Sequence, residues 1–189
     1  MRHPVAFLAE MCGDIMYFAQ AIKQPDRKKI VDAIVKEVNC HVENQNWELI
    51  KRSKVPVGEP IQQSVWAMRS KGNLTTGEIV KHKAHLNLHG GMQEYGVNYY
   101  KTHAPVVTWF AIRIMIVFRI LFNRAMRQID FVMAFPQALI EMNMYTELPK
   151  GIETKHGNSK DHVLKLLQNI YGQKQAGWVW NHHLTAKLL

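Results

Sequence analysis

The sequence predicts an α+β fold. Three observations carry this reading. Short apolar runs of strand length alternate with turn residues, as in Val65–Arg69 and Glu78–Leu88 around Gly72, Asn73 and Gly77. Apolar residues three and four apart over Ile30–Val38 give a helical stripe. The long apolar segment Ala104–Phe122 then precedes another strand-like run that ends near Val132. At 189 residues and 47% hydrophobic content the chain is about one domain, with enough apolar side chains for a core.

Taken in order, residues 1–24 are apolar and Met-rich without a clear period. Pro25 and Asp26 open a helix, with Asp26 placed to cap it and Ile30, Val31, Ile34, Val35 and Val38 on one face. A short strand is expected at Trp47–Ile50, then a polar loop over residues 51–62 containing Pro56, Gly58 and Pro60. The hairpin that follows carries Arg69, Lys71, Lys81 and Lys83 against one acid, Glu78. Such a hairpin can hold a triphosphate or a nucleic-acid backbone, or it can be a solvated edge on which lysines block aggregation. Pro105 should start a helix reaching about Phe122, apolar nearly all round and therefore buried. Arg113 and Arg119 interrupt that segment, so it should not span a bilayer. A polar loop is expected at Glu153–Asp161.

The net charge of +9 favours an anionic partner, nucleic acid before membrane, although a merely basic soluble domain has the same charge. Cys12 and Cys40 lack CxxC spacing and read as reduced thiols of an intracellular protein. His82, His85 and His89 have a spacing that would suit metal ligands on a helix, but this stretch reads as a strand and offers no adjacent acid or cysteine.

The stretch Arg124–Ala138, RAMRQIDFVMAFPQA, carries the most chemistry. Asp130 is the only carboxylate between Tyr95 and Ile140. It lies in an apolar run read as a buried strand, where an unpaired charge is very costly. A divalent cation, or Arg124 or Arg127, would resolve that cost.

This stretch resembles the first catalytic motif in the palm of copia-type retrotransposon reverse transcriptases, in which an aromatic residue, here Phe135, follows the Asp by five positions. Further segments extend the resemblance from about Trp47 to Leu189. Trp66, Lys83, Ala84, Leu86, Gly90 and Gln93 match the fingers pattern, with His85 where the family has Arg. Tyr95, Gly96, Asn98, Tyr99, Thr102, Pro105, Val106 and Arg113 match the next segment, with Lys101 in place of Glu. Tyr145, Leu148, Pro149 and Gly151 match a third. Tyr171, Gly172, Lys174, Gln175, Ala176 and Trp180 match a fourth, with Trp178 where Arg is usual.

The resemblance implies a partial reverse-transcriptase fold. Residues 1–46 would be a lead-in with an amphipathic helix, and residues 47–189 the fingers and the first half of a palm sheet backed by helices. It implies RNA-dependent DNA polymerisation by two-metal nucleotidyl transfer. Asp130 would bind Mg2+ or Mn2+, Phe135 would exclude the 2′-hydroxyl, and Gln175, Lys81 and Lys83 would contact substrate. Its partners would be an RNA or DNA primer–template, deoxynucleoside triphosphates and the rest of a Gag-Pol-like polyprotein. Two metal ions need more than one carboxylate, yet the family's Asp-Asp hairpin is absent and the last acid is Asp161. The expectation is therefore an amino-terminal fragment without polymerase activity of its own, poorly soluble, with an open sheet edge and an uncovered Pro105–Phe122 helix. The competing expectation is a non-enzymatic basic nucleic-acid-binding module or a relic without function.

Overall fold

The computed structural model describes residues 16–73, 75–152 and 160–189. Cys12, the start of the apolar lead-in and most of the Glu153–Asp161 loop lie outside the described residues. The first unit is a two-stranded antiparallel sheet, β3 (Ser64–Gly72) and β4 (Ile79–Leu88), covered by helix α2 (Arg27–Glu43) and the short helix α1 (Phe18–Ala21). The second is a four-stranded sheet in the order β1 (Trp47–Lys51), β6 (His162–Leu166), β5 (Tyr145–Thr146) and β2 (Ile61–Gln62). Trp47 pairs with Leu166 and Tyr145 with Lys165, both antiparallel, while β2 runs parallel to β5.

The sequence alternation explains the first unit. Trp66 and Met68 on β3, and Ala84 and Leu86 on β4, face Ile30, Ile34 and Val38 of α2 and form one buried cluster. The register sets Trp66 opposite Leu86 and Met68 opposite Ala84. The same register sets Arg69 opposite Lys83 and Lys71 opposite Lys81. Like charges directly opposite cost roughly 0.2–1 kcal/mol per pair. Burying a side chain such as Leu86, at 0% exposure, is worth roughly 1.5–3 kcal/mol. The inner face therefore forms the hairpin in spite of its outer face.

Two elements depart from the sequence reading. Asp26 precedes α2 but its side chain does not cap the helix; its carboxylate lies 2.6 Å from His82 Nε2 instead. Helix α3 runs Trp109–Leu121 and starts at Thr108, whose hydroxyl accepts from the Ala111 N–H at 3.2 Å, rather than at Pro105. No residue of α3 is buried, and Trp109 is 75% exposed. Its apolar content suggests burial, but among the described elements none packs closely on it, so its apolar side chains stay exposed.

The run 124–131 is not a strand. It has no regular structure and Asp130 is exposed. An apolar run becomes a strand only where a neighbouring strand offers a hydrogen-bond ladder. Among the described strands none lies along it. The palm sheet implied by the resemblance is thus not formed around Asp130. Helix α4 (Ala176–Leu188) closes the chain and packs on the 3-10 turn Phe135–Gln137.

Candidate functional site

A groove of 450 Å³ lies between α2, the outer edge of β4 and the Asp130 segment. Helix α2 contributes Lys36, Glu37 and Cys40; β4 contributes Lys81 to His85; Asp130 to Met133 form the third wall and Tyr171 closes one end. The sequence-chosen residues Asp130, Lys81 and Lys83 therefore meet at one site.

The edge of β4 facing this groove is only partly used. The Leu86 N–H donates to Glu37 Oε1 at 3.3 Å, and the Leu88 N–H donates to the Tyr171 carbonyl at 2.8 Å. Backbone groups alternate direction along a strand, so His82 and Ala84 present theirs on this same edge, beside the groove. Lys81 and Lys83 flank them.

Glu37 is held ionised. Burial alone raises its carboxyl pKa, but hydrogen bonding to His41 and His85, and their charge, more than cancel this and hold it at about 2. His41 Nε2 lies 3.6 Å and His85 Nδ1 3.4 Å from its Oε1. Tyr171 is shifted up from its ordinary value, first by burial and then by the negative charges of Glu37 and Asp130. The acids beside His82 and His85 are Asp26, just before α2, and Glu37 within it, both far along the chain, which is why sequence spacing offered none. The three histidines do not converge: His82 pairs with Asp26 and Ser70, His85 with Glu37 and the Tyr171 ring.

Phe135 opens the turn after the Asp130 segment and lies half-buried, its ring 5.2 Å from that of Tyr171. The turn is built locally. Met133 adopts φ +50, Gln137 Nε2 donates to the Val132 carbonyl at 2.8 Å, and the free thiol of Cys40 lies 2.9 Å from Met133 Sδ.

Gln175 is not in this groove. It is 6% exposed, not solvent-facing; its Oε1 accepts from Gln93 Nε2 at 2.8 Å and its Nε2 approaches Met144 Sδ at 3.3 Å. Gln93 Oε1 also accepts from the Lys174 N–H at 2.7 Å. This buried amide network fixes the start of α4, and through it the loop carrying Tyr171. Sequence reasoning matched Gln93 and Tyr171 to the family pattern but gave neither a role; Glu37 carried no signal at all. Two departures from that pattern, Lys101 and Trp178, meet in space, with Lys101 Nζ 5.1 Å from the Trp178 ring centre.

Asp130 is exposed, so the cost of a buried unpaired charge that called for a cation or an arginine partner does not arise, and Glu37 is already engaged by His41 and His85. Among the described residues no three His, Cys, Asp or Glu side chains come together as a metal site. The described residues therefore do not fit a two-ion centre. Nor is any helix among the described residues long and apolar enough to cross a membrane.

Comparison with known proteins agrees with the motifs. Residues 44–189 match the family model described as reverse transcriptase (RNA-dependent DNA polymerase). The chain is 31% identical over 157 residues to the retrovirus-related Pol polyprotein from transposon RE2 of Arabidopsis thaliana, covering 83% of this chain and 10% of that protein. It is 30% identical over 158 residues to the Pol polyprotein from transposon RE1 of the same plant, covering 84% of this chain and 10% of the relative. A third relative, the Pol polyprotein from transposon TNT 1-94 of Nicotiana tabacum, is 26% identical over 161 residues, covering 85% of this chain and 12% of its own length. The chain thus spans about a tenth of the curated relatives it matches. No solved structure matches it significantly.

Proposed function

The chain belongs to the reverse transcriptase (RNA-dependent DNA polymerase) family, and from that premise we propose that it supplies the amino-terminal part of a polymerase site acting on a primer–template and deoxynucleoside triphosphates. The observation that carries this reading is the groove that Asp130 lines together with Lys81 and Lys83. In it the lysines, with the β4 edge amides, draw the triphosphate by charge. Asp130 is one ligand for Mg2+ or Mn2+, which when bound would stabilise the charge developing on the transferred phosphoryl group. Phe135, packed on Tyr171, stands beside the sugar and excludes a 2′-hydroxyl. Gln175 acts from within the buried network, holding the start of α4 rather than reaching the substrate. Residues 47–189 are the fingers and part of the palm; residues 1–46 lead into them.

One carboxylate cannot hold two ions, so on this reading nucleotidyl transfer belongs to a longer polyprotein and the 189-residue chain has no polymerase activity by itself. The facing cations Arg69–Lys83 and Lys71–Lys81 also favour a simpler activity, salt-dependent binding of nucleic acid without chemistry. The test is primer extension by the purified chain with a primed template, deoxynucleotides and Mg2+ or Mn2+, alongside a binding titration. The expected result is binding that weakens with salt and no extension. Extension above background that Asp130→Asn removes would mean that acids such as Glu141, Glu147 or Asp161 complete the site.

A further inference from the structure

A second cavity of 200 Å³, sharing no lining residue with the Asp130 groove, is bounded by Tyr99, Tyr100, Lys101, Glu141, Gln175 and Trp178. Around it the chain gathers aromatic rings and ordered cations. Tyr95 lies edge-on to both Tyr99 and Tyr100, with ring centres 5.8 and 6.2 Å apart. Tyr95 is 72% and Tyr100 57% exposed, so their faces are largely open to solvent. The Tyr100 hydroxyl donates to the Gly96 carbonyl at 2.7 Å, which fixes the ring over a Gly turn.

The two lysines are held in place by rings. Lys101 Nζ sits over Trp178 at 5.1 Å, and the His182 ring also packs on Trp178, with ring centres 4.3 Å apart. Lys174 Nζ sits over Tyr99 at 4.6 Å and donates to the Gln93 carbonyl at 3.0 Å. A cation packed on an aromatic face keeps its charge and loses little further freedom when it meets an anion. Charged heads at fixed positions next to open aromatic faces are the two components that bind unpaired nucleic acid: phosphates meet the cations and bases stack on the rings. Glu141 at the cavity rim disfavours phosphate at that point and suits the amino edge of a base.

We propose that Tyr95, Tyr100, Lys101 and Lys174 form a stacking platform for unpaired bases of a single-stranded nucleic acid, separate from the Asp130 groove. The proposal rests on the nucleic-acid reading above but assigns this surface to bases, whereas the β3–β4 hairpin reads only charge.

The test compares two fluorescent oligomers of about twelve units, within the usual footprint for one such module: oligothymidylate, and an abasic deoxyribose-phosphate chain of the same length. Each is titrated with the 189-residue chain at fixed salt. Oligothymidylate should bind about tenfold tighter, the order of one well-stacked base. The double variant Tyr95→Ser with Tyr100→Ser, at two exposed positions, should bring oligothymidylate down to the abasic level and leave abasic binding unchanged. Lys101→Gln should weaken both oligomers and lower the salt slope by about one. Equal affinity for the two oligomers, or a Tyr95/Tyr100 variant that still separates them, overturns the platform while leaving polyanion binding intact. Binding of neither oligomer overturns the nucleic-acid reading itself, and the platform with it. Circular dichroism of each variant verifies that its fold is retained.

Discussion

Gly90 and Gly172 cross so closely that a Cβ on Gly90 would lie 2.3 Å from the Gly172 carbonyl oxygen. The reverse contact is as tight: a Cβ on Gly172 would lie 2.2 Å from the Leu88 carbonyl, and Gly172 has φ +86. The end of β4 and the loop bearing Tyr171 meet backbone to backbone here, and that crossing sets where Tyr171 stands relative to the groove. Gly172→Ala should therefore cost at least about 2 kcal/mol, combining a left-handed backbone with an unavoidable clash. Gly58→Ala is the control. It has φ +93 but nothing within 4 Å, so only the backbone strain of about 1–2 kcal/mol applies. Urea unfolding of the three proteins measures the difference, and equal midpoints for the two variants would contradict the crossing.

The facing cations make a paired prediction. Lys81→Gln with Lys83→Gln removes a like charge from each cross-strand pair and should raise stability by a few tenths to about 1 kcal/mol. The same change should lower the salt slope of primer–template binding by roughly two units, one per lost phosphate contact. A stability gain with an unchanged slope would leave the hairpin as a solvated edge.

Glu37 predicts acid sensitivity. Its folded pKa of about 2 lies below the ordinary value of 4.5, so its contribution is full above pH 4.5 and is lost as pH falls towards 2. The difference corresponds to up to about 3 kcal/mol. Glu37→Gln should be less stable at neutral pH and should flatten the stability profile between those limits. A wild-type profile that is already flat there would show that His41 and His85 do not hold this carboxylate.

Phe135 separates a selective role from a packing role. In a longer polypeptide with polymerase activity, Phe135→Ala should relax discrimination against ribonucleotides with little change in deoxynucleotide incorporation. Loss of both in parallel with a lower melting temperature would make it a core side chain resting on Tyr171.

Much of this was legible in the residues. The alternation of Trp66, Met68, Ala84 and Leu86 gave β3 and β4 nearly to their ends, and the stripe Ile30–Ile34–Val38 gave α2. Asp130, Lys81 and Lys83 were singled out one by one, by isolation and charge, and the structure brings them to one groove. What was not legible depended on partners. The run ending at Val132 has strand composition but no ladder, so composition over-read it. Val31 and Val35 share a helix with Ile34 yet remain partly exposed, because the stripe is wider than the surface that covers it. Gln175 was expected to contact substrate, but it is buried against Gln93, a partner from another segment that the sequence does not announce. Likewise, nothing along the chain announces that Asp26 and Glu37 answer His82 and His85.

On the proposed function, Asp130 is a catalytic carboxylate of a polymerase site to which this chain contributes. The most direct measurement is primer extension by a chimera in which residues 44–189 replace the matched segment of the tobacco relative, with and without Asp130→Asn. The chimera should extend the primer, and Asp130→Asn should lower the rate at least about a thousandfold with circular dichroism unchanged, because removing a metal-binding charge forfeits stabilisation present only in the transition state. Extension by the Asp130→Asn protein at a rate near that of its parent would contradict it.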